Sequence, residues 1–277
     1  MTIPAGAAPR LHYRHYHAPD GTELSYATIG ATGAPTIVLC HGLAANGHQF
    51  AADAAHFAAA GFRVLLPDLR GHGRSHSASD IATADFSIAT LAGDMRAMLD
   101  HAEAPVVHWV GNSLGGIVAL QLLALDTARF ASLALFGTCF ALNLPAAVAP
   151  VFPLLHKILG PRLLASITAL TTTRHKPARP LIAAMARDFD PRVGAAIAAH
   201  VRRYDLTDTA LRYPGPLLIL TGGHDAAVNM ALRPSLARIG PRPNWTIIAL
   251  PDGGHCANLD ATASWRSALR TFWSSHS

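Results

Sequence analysis

Six short apolar runs recur along the chain: Thr36–Cys40, Arg63–Leu66, Val106–Val110, Ser132–Phe136, Pro216–Leu220 and Thr246–Leu250. Each stops within a few residues at a glycine or proline. A strand with one wet face alternates apolar and polar residues, whereas a near-continuous apolar run is covered on both faces. Helix-like stretches lie between these runs. Residues 47–60 are rich in alanine, and residues 85–101 place Phe86, Ile88, Leu91, Met95, Met98 and Leu99 on one apolar face. Residues 114–125 and 262–273 complete the set. Strand and helix alternating in this way predict an α/β fold, a mostly parallel sheet with helices on both faces. Two further strands, in LHYRHYH and TELSYATIG, flank the turn signal Pro19-Asp20-Gly21 and predict a hairpin, which makes eight strands.

The alternation breaks between Cys139 and Thr209. No strand pattern is evident there, and several stretches read as helix. A core of residues 1–138 and 210–277, with a helical cap at 139–209, accounts for the break. The insert carries nine Lys and Arg against four Asp, a surplus equal to the formal charge of +5 for the whole chain. That surplus suits either attraction of an anionic substrate or a plain solvated helix surface. A weakly basic balance with no zinc-finger, basic-zipper or RNA-recognition motif argues against nucleic acid as a partner.

Charged residues are only 14% of the 277, so long disorder is not expected. The three cysteines, Cys40, Cys139 and Cys256, show no disulfide or metal spacing. MTIPAGAAPR lacks a secretory pattern, and together these features point to the cytoplasm. Ala131–Leu155 has no charged residue and is long enough to cross a bilayer. Pro145, Pro150, Pro153 and Asn143 interrupt it, so no membrane span is expected.

The chemistry centres on Gly111-Asn112-Ser113-Leu114-Gly115-Gly116, between a predicted strand and a predicted helix. G-x-S-x-G in that position is a nucleophile elbow: the chain reverses sharply and holds the serine oxygen out of the fold. Gly111 and Gly115 allow backbone to approach without a Cβ clash. A serine hydroxyl needs a base. Among sixteen histidines, position selects His255, which follows the strand ending at Leu250 in PDGGH. Asp225, in TGGHD after another strand, is the candidate carboxylate to fix the imidazole tautomer. In a parallel sheet these strand ends share one edge, so Ser113, Asp225 and His255 can converge there. His224 and Asp252 are near enough in sequence to compete for the acid-loop assignment. Backbone N–H groups of Leu43, after His41-Gly42, and of Leu114 are candidates for an oxyanion hole. His41, Asp68 and Arg70-Gly71-His72-Gly73 read as architectural, and His72 lacks partners at metal-ligand spacing.

HGLAAN, DLRGHGRS, GNSLGG, TGGHD and GGHCANLD, in this order, resemble the motifs of the α/β-hydrolase fold family over almost the whole chain. The resemblance implies a Ser-Asp-His triad, a lid inserted after the sixth strand, no cofactor and no metal. It also implies a small-molecule ester or lactone substrate with an apolar portion. Ser113 sets the chain apart from the family's aspartate-nucleophile branches. Asn112 in the elbow keeps carbon–carbon bond hydrolases of the meta-cleavage type open, although Cys256, Ala257 and Asn258 replace the aromatic residue that they tend to carry after the histidine. A slow-turnover ligand receptor on the same scaffold is a further alternative.

Overall fold

The computed structural model describes residues 11–76, 80–148 and 150–276. Residues 1–10, where the secretory pattern was sought, lie outside them. The strands are β1 (His12–His17), β2 (Glu23–Ile29), β3 (Thr36–Cys40), β4 (Arg63–Asp68), β5 (Val107–Asn112), β6 (Phe130–Phe136), β7 (Ala141–Asn143), β8 (Arg203–Asp205), β9 (Leu217–Gly222) and β10 (Trp245–Leu250). The helices are α1 (Ala51–Ala59), α2 (Ile88–His101), α3 (Leu114–Leu125), α4 (Val151–Thr172), α5 (Arg179–Arg187), α6 (Pro191–Val201), α7 (Thr207–Arg212), α8 (Ala226–Ile239), α9 (Ala257–Asp260) and α10 (Thr262–Ser274).

Eight strands form one sheet in the order β1-β2-β4-β3-β5-β6-β9-β10. β1 and β2 are the hairpin, β2 joins β4 antiparallel, and every other pair is parallel. The apolar runs are strands because both of their faces are covered. Val38 and Cys40 pack with α2 and α3 in one core, while Ile37 and Leu39 pack with Phe50, Phe57, Trp265 and Leu269 in a second core on the opposite face. One strand thus feeds two cores through its period of two.

The strand order places the site. The chain leaves β3 toward β4 on one side, and β5 pairs with β3 on the other, with Cys40 opposite Gly111. Connections leaving neighbouring parallel strands in opposite directions open a crevice beyond their C-terminal ends. The loops after β3, β5, β9 and β10 all end at that edge.

Between β6 and β9 the chain inserts the helices α4, α5 and α6. α4 turns at Gly160, which has φ 73° and precedes Pro161. The sequence reading finds no strand here, and the structure corrects it. β7 and β8 pair antiparallel at the two ends of this insertion, extended by Leu144 N–H donating to Arg202 O at 2.7 Å. Three residues per strand are too few to show a period. The helix α8, with Pro234 inside it, was likewise unanticipated. Among the described residues, no helix is long and apolar enough to cross a membrane.

Candidate active site

Ser113 sits between β5 and α3 at φ 51° and ψ −114°, a region that non-glycine residues rarely occupy. The neighbouring glycines permit this turn. A Cβ on Gly115 would lie 2.3 Å from Cys40 O, and one on Gly111 would lie 2.6 Å from Gly116 Cα. Asn112 is buried and its side chain is fully engaged. Its Oδ1 accepts from Gln49 Nε2 at 2.9 Å, and its Nδ2 donates to His255 O at 3.0 Å and Phe136 O at 3.3 Å.

His255 Nδ1 lies 2.9 Å from Asp225 Oδ2, although the two residues are 30 apart in sequence. Asp225 is 9% exposed, so the pair is shielded on its acid side. Asp252 is exposed, and His224 instead accepts from the Arg174 guanidinium at 3.0 Å. The two loops are stitched together by His224 N–H donating to Gly253 O at 2.9 Å. No hydrogen bond joins Ser113 to His255 among the described residues. Both face one cavity of about 250 Å³, with Leu43, Gln49, Met185 and Cys256 on its other walls. Ser113 also borders a second cavity of about 420 Å³.

The loop after β3 is held by two buried histidines. His41 Nδ1–H donates to Gly42 O at 2.8 Å while Nε2 accepts from Leu69 N–H at 3.0 Å. His72 repeats the pattern, donating to Arg70 O at 3.0 Å and accepting from Ala44 N–H at 3.3 Å. Each imidazole therefore uses one N–H and one lone pair and must be neutral. Burial pushes His41 down to about 4 and His72 down to about 3, the latter assisted by the nearby His41. Asp68 receives the N–H groups of Gly47 at 2.8 Å and Arg74 at 2.9 Å, and burial raises its pKa. Arg70 pairs with the buried Asp94 at 2.7 Å and with Asp20 at 2.6 Å. These groups brace the loop from below and do not line either cavity. The backbone N–H groups of Leu43 and Leu114 have no partner among the described residues, and Leu43 borders both cavities.

Two residues of the site escaped the sequence reading. Asp260, quoted only as the end of GGHCANLD, binds the segment after α4 to the histidine loop. Its Oδ2 accepts from Gly254 N–H at 2.9 Å, and its Oδ1 accepts from Thr173 Oγ1, Arg174 N–H at 2.9 Å and His175 N–H at 3.0 Å. Gln49, in the alanine-rich stretch, is 2% exposed and borders the smaller cavity. A polar residue on the inward side of an apolar helical stretch was the signal for it. Within the apolar segment 142–159, Leu142 and Leu144 line the larger cavity, while Leu154, Leu155 and Ile158 are exposed. The inward side of α4 is made of Ala165 and Ala169, small enough for close packing against α5. Among the described residues, no cluster of three or more His, Cys, Asp or Glu stands at metal-binding distance.

Residues 35–262 match the pattern of the α/β hydrolase fold family. The chain belongs to the α/β-hydrolase family. A protein of Pseudomonas syringae pv. syringae, provisionally named carbamate hydrolase RutD, is 30% identical over 257 residues, 87% of this chain and 94% of that protein. The enol-lactonase of Burkholderia xenovorans LB400 superposes with a TM-score of 0.81 at 25% identity, covering 94% of this chain and all of its own. A thermophilic esterase of Thermogutta terrifontis, solved with malate bound, shares the fold with a TM-score of 0.81 at 23% identity, covering 97% of this chain and 99% of its own. Membership in the α/β-hydrolase family places the protein among hydrolases.

Proposed function

We propose that the protein is a serine hydrolase of carboxylic esters or lactones, working through an acyl-enzyme. The observation that carries this reading is the His255–Asp225 pair at 2.9 Å beside a cavity that Ser113 also faces. His255 Nε2 takes the Ser113 proton as Oγ attacks the carbonyl carbon. Asp225 holds Nδ1–H and stabilises the imidazolium that forms. The N–H groups of Leu43 and Leu114 receive the oxyanion; one such donor is worth about 3–4 kcal/mol in the transition state. His255 then returns its proton to the leaving alcohol and activates water to release the acid. The Ser113–His255 hydrogen bond closes on substrate binding, as such bonds are often long in the free enzyme. Residues 139–209 act as the cap over this site. The three cysteines are free and buried, which suits action in the reducing cytoplasm.

The enol-lactonase similarity supports this substrate class, and the carbamate hydrolase name belongs to the same acyl-transfer chemistry. Asn112, the residue on which the carbon–carbon bond hydrolase alternative rests, has its amide occupied by Gln49, Phe136 and His255.

Labelling with a fluorophosphonate, read by mass spectrometry, tests the proposal together with p-nitrophenyl acetate turnover. Ser113 carries the label, and Ser113→Ala abolishes turnover with the circular dichroism spectrum intact. Undiminished turnover by Ser113→Ala rejects the mechanism. Turnover near one per hour on a panel of esters and lactones, combined with tight ligand binding, favours a receptor instead.

A further inference from the structure

The two cavities beside Ser113 differ in chemistry. The larger is walled by Ile117, Leu142, Ile197, Val201, Val228 and Met230, among others. Apart from the Ser113 hydroxyl, its polar side chains are committed: Tyr204 O–H donates to Cys139 O at 2.8 Å, and Thr138 O–H faces Ser113 O and Phe136 O, both at 3.1 Å. The smaller cavity holds His255, which does not border the larger one. Its threonine hydroxyls are also committed, Thr168 to Leu164 O at 2.9 Å and Thr172 to Thr168 O at 2.6 Å.

Apart from Ser113 and His255 themselves, Gln49 is the exception. Its orientation is fixed by its neighbours. Asn112 must turn its Nδ2 to the carbonyls of Phe136 and His255, which leaves Oδ1 toward Gln49. Asn258 must turn its Nδ2 to Gln49 O at 3.2 Å and Asp53 Oδ2 at 3.0 Å, which leaves its own Oδ1 toward Gln49 at 3.4 Å. Two acceptors therefore face the Gln49 amide, and only Nε2 can satisfy them. Gln49 Oε1 is left buried with no donor. An unmet buried acceptor is costly, so the missing donor is expected from whatever fills the adjoining cavity.

Resting on the Ser113–His255 reading above, we propose that the smaller cavity receives the alcohol moiety of the ester and that Gln49 Oε1 accepts a hydrogen bond from a hydroxyl on that moiety. The proton that His255 gives up goes to the leaving oxygen, so the leaving group belongs on the side that His255 borders. The acyl chain then occupies the larger, apolar cavity. The substrate class is a monoester of a short diol or polyol with an apolar acyl chain. In the acylation step the Ser113 Oγ–carbon bond forms, the carbon–alcohol bond breaks, and the Ser113 proton reaches the departing oxygen through His255. Water then cleaves the acyl-enzyme, with no oxidant or reductant required.

A matched pair tests this: 2-hydroxyethyl butyrate and propyl butyrate differ by a hydroxyl in place of a methyl. Wild-type enzyme is expected to prefer the hydroxyethyl ester by about tenfold or more in kcat/KM. Gln49→Met, similar in shape, brings the ratio close to one; the ratio cancels any general loss from the disturbed Asn112 and Asn258. A wild-type ratio near one, as a resident water on Oε1 would give, overturns the proposal. So does a preference that survives Gln49→Met. If that variant does not fold, the wild-type ratio decides alone. If neither ester is cleaved, the hydrolase reading fails separately, and the Kd ratio of the two esters on Ser113→Ala, measured by calorimetry, still tests the acceptor. Tighter binding of the hydroxyethyl ester upholds it, and equal binding rejects it.

Discussion

Asn112 Nδ2 donates to His255 O at 3.0 Å, so the residue before Ser113 grips the backbone of the residue that would deprotonate it. The two loops come from β5 and β10, which have β6 and β9 between them in the sheet. Asn112→Asp keeps the acceptor for Gln49 but removes both donated bonds. Stability is expected to fall by about 1–3 kcal/mol. Ester turnover should drop at least tenfold in kcat with KM little changed, read from steady-state kinetics and urea denaturation.

Asp225→Asn leaves the size of the side chain unchanged but removes the charge facing His255 Nδ1. The amide can present its N–H to that nitrogen and stabilise the wrong tautomer. Turnover is expected to fall by on the order of 10³–10⁴-fold at neutral pH, with an unchanged thermal midpoint.

Asp260 gathers N–H and O–H groups from the end of α4 and from Gly254 on one carboxylate. Asp260→Ala releases the segment after α4 from the histidine loop at that point. Hydrogen exchange at residues 172–176 and 254–256 should speed up, and KM should rise more than kcat falls. Exchange unchanged from wild type would show that the Cys256 N–H bond to Thr172 O suffices to hold the junction.

Acid should weaken the protein through His41. Its folded-state pKa lies near 4, below the ordinary value of 6.5, so the unfolded chain binds the proton first as pH falls. The stability it contributes is complete above the unfolded value and is lost as pH drops from there toward 4. The full effect is about 3 kcal/mol, of which about 2 kcal/mol is lost between about pH 7 and pH 5. Denaturation of wild type and His41→Gln at these two pH values checks it: the variant is less stable throughout but has a shallower pH slope.

Gly115→Ala puts a methyl 2.3 Å from Cys40 O, where β3 backbone cannot yield without disturbing its pairing with β5. Destabilisation of roughly 3 kcal/mol or more is expected, visible as a lower thermal midpoint or loss of soluble protein. Gly93→Ala has open space around the new methyl and serves as the control.

The apolar runs, their glycine ends and the order of the motifs determined the sheet, the hairpin and the strand ends that carry Ser113, Asp225 and His255. Those features are legible because local pattern and chain order express them: burial on two faces removes alternation, and a parallel sheet collects its C-terminal strand ends along one edge. Only the tertiary structure decided that Asp225, not Asp252, meets His255, that Asn112 serves the framework, and that Asp260 and Gln49 belong to the site. Each of these depends on hydrogen bonds between loops far apart in sequence, and a side chain's partner across such a gap is fixed by packing, which leaves no period or spacing in the chain. The ribbon of β7 and β8 was hidden for the same reason, since six residues drawn from the two ends of the insertion between β6 and β9 acquire a strand's shape only when they meet.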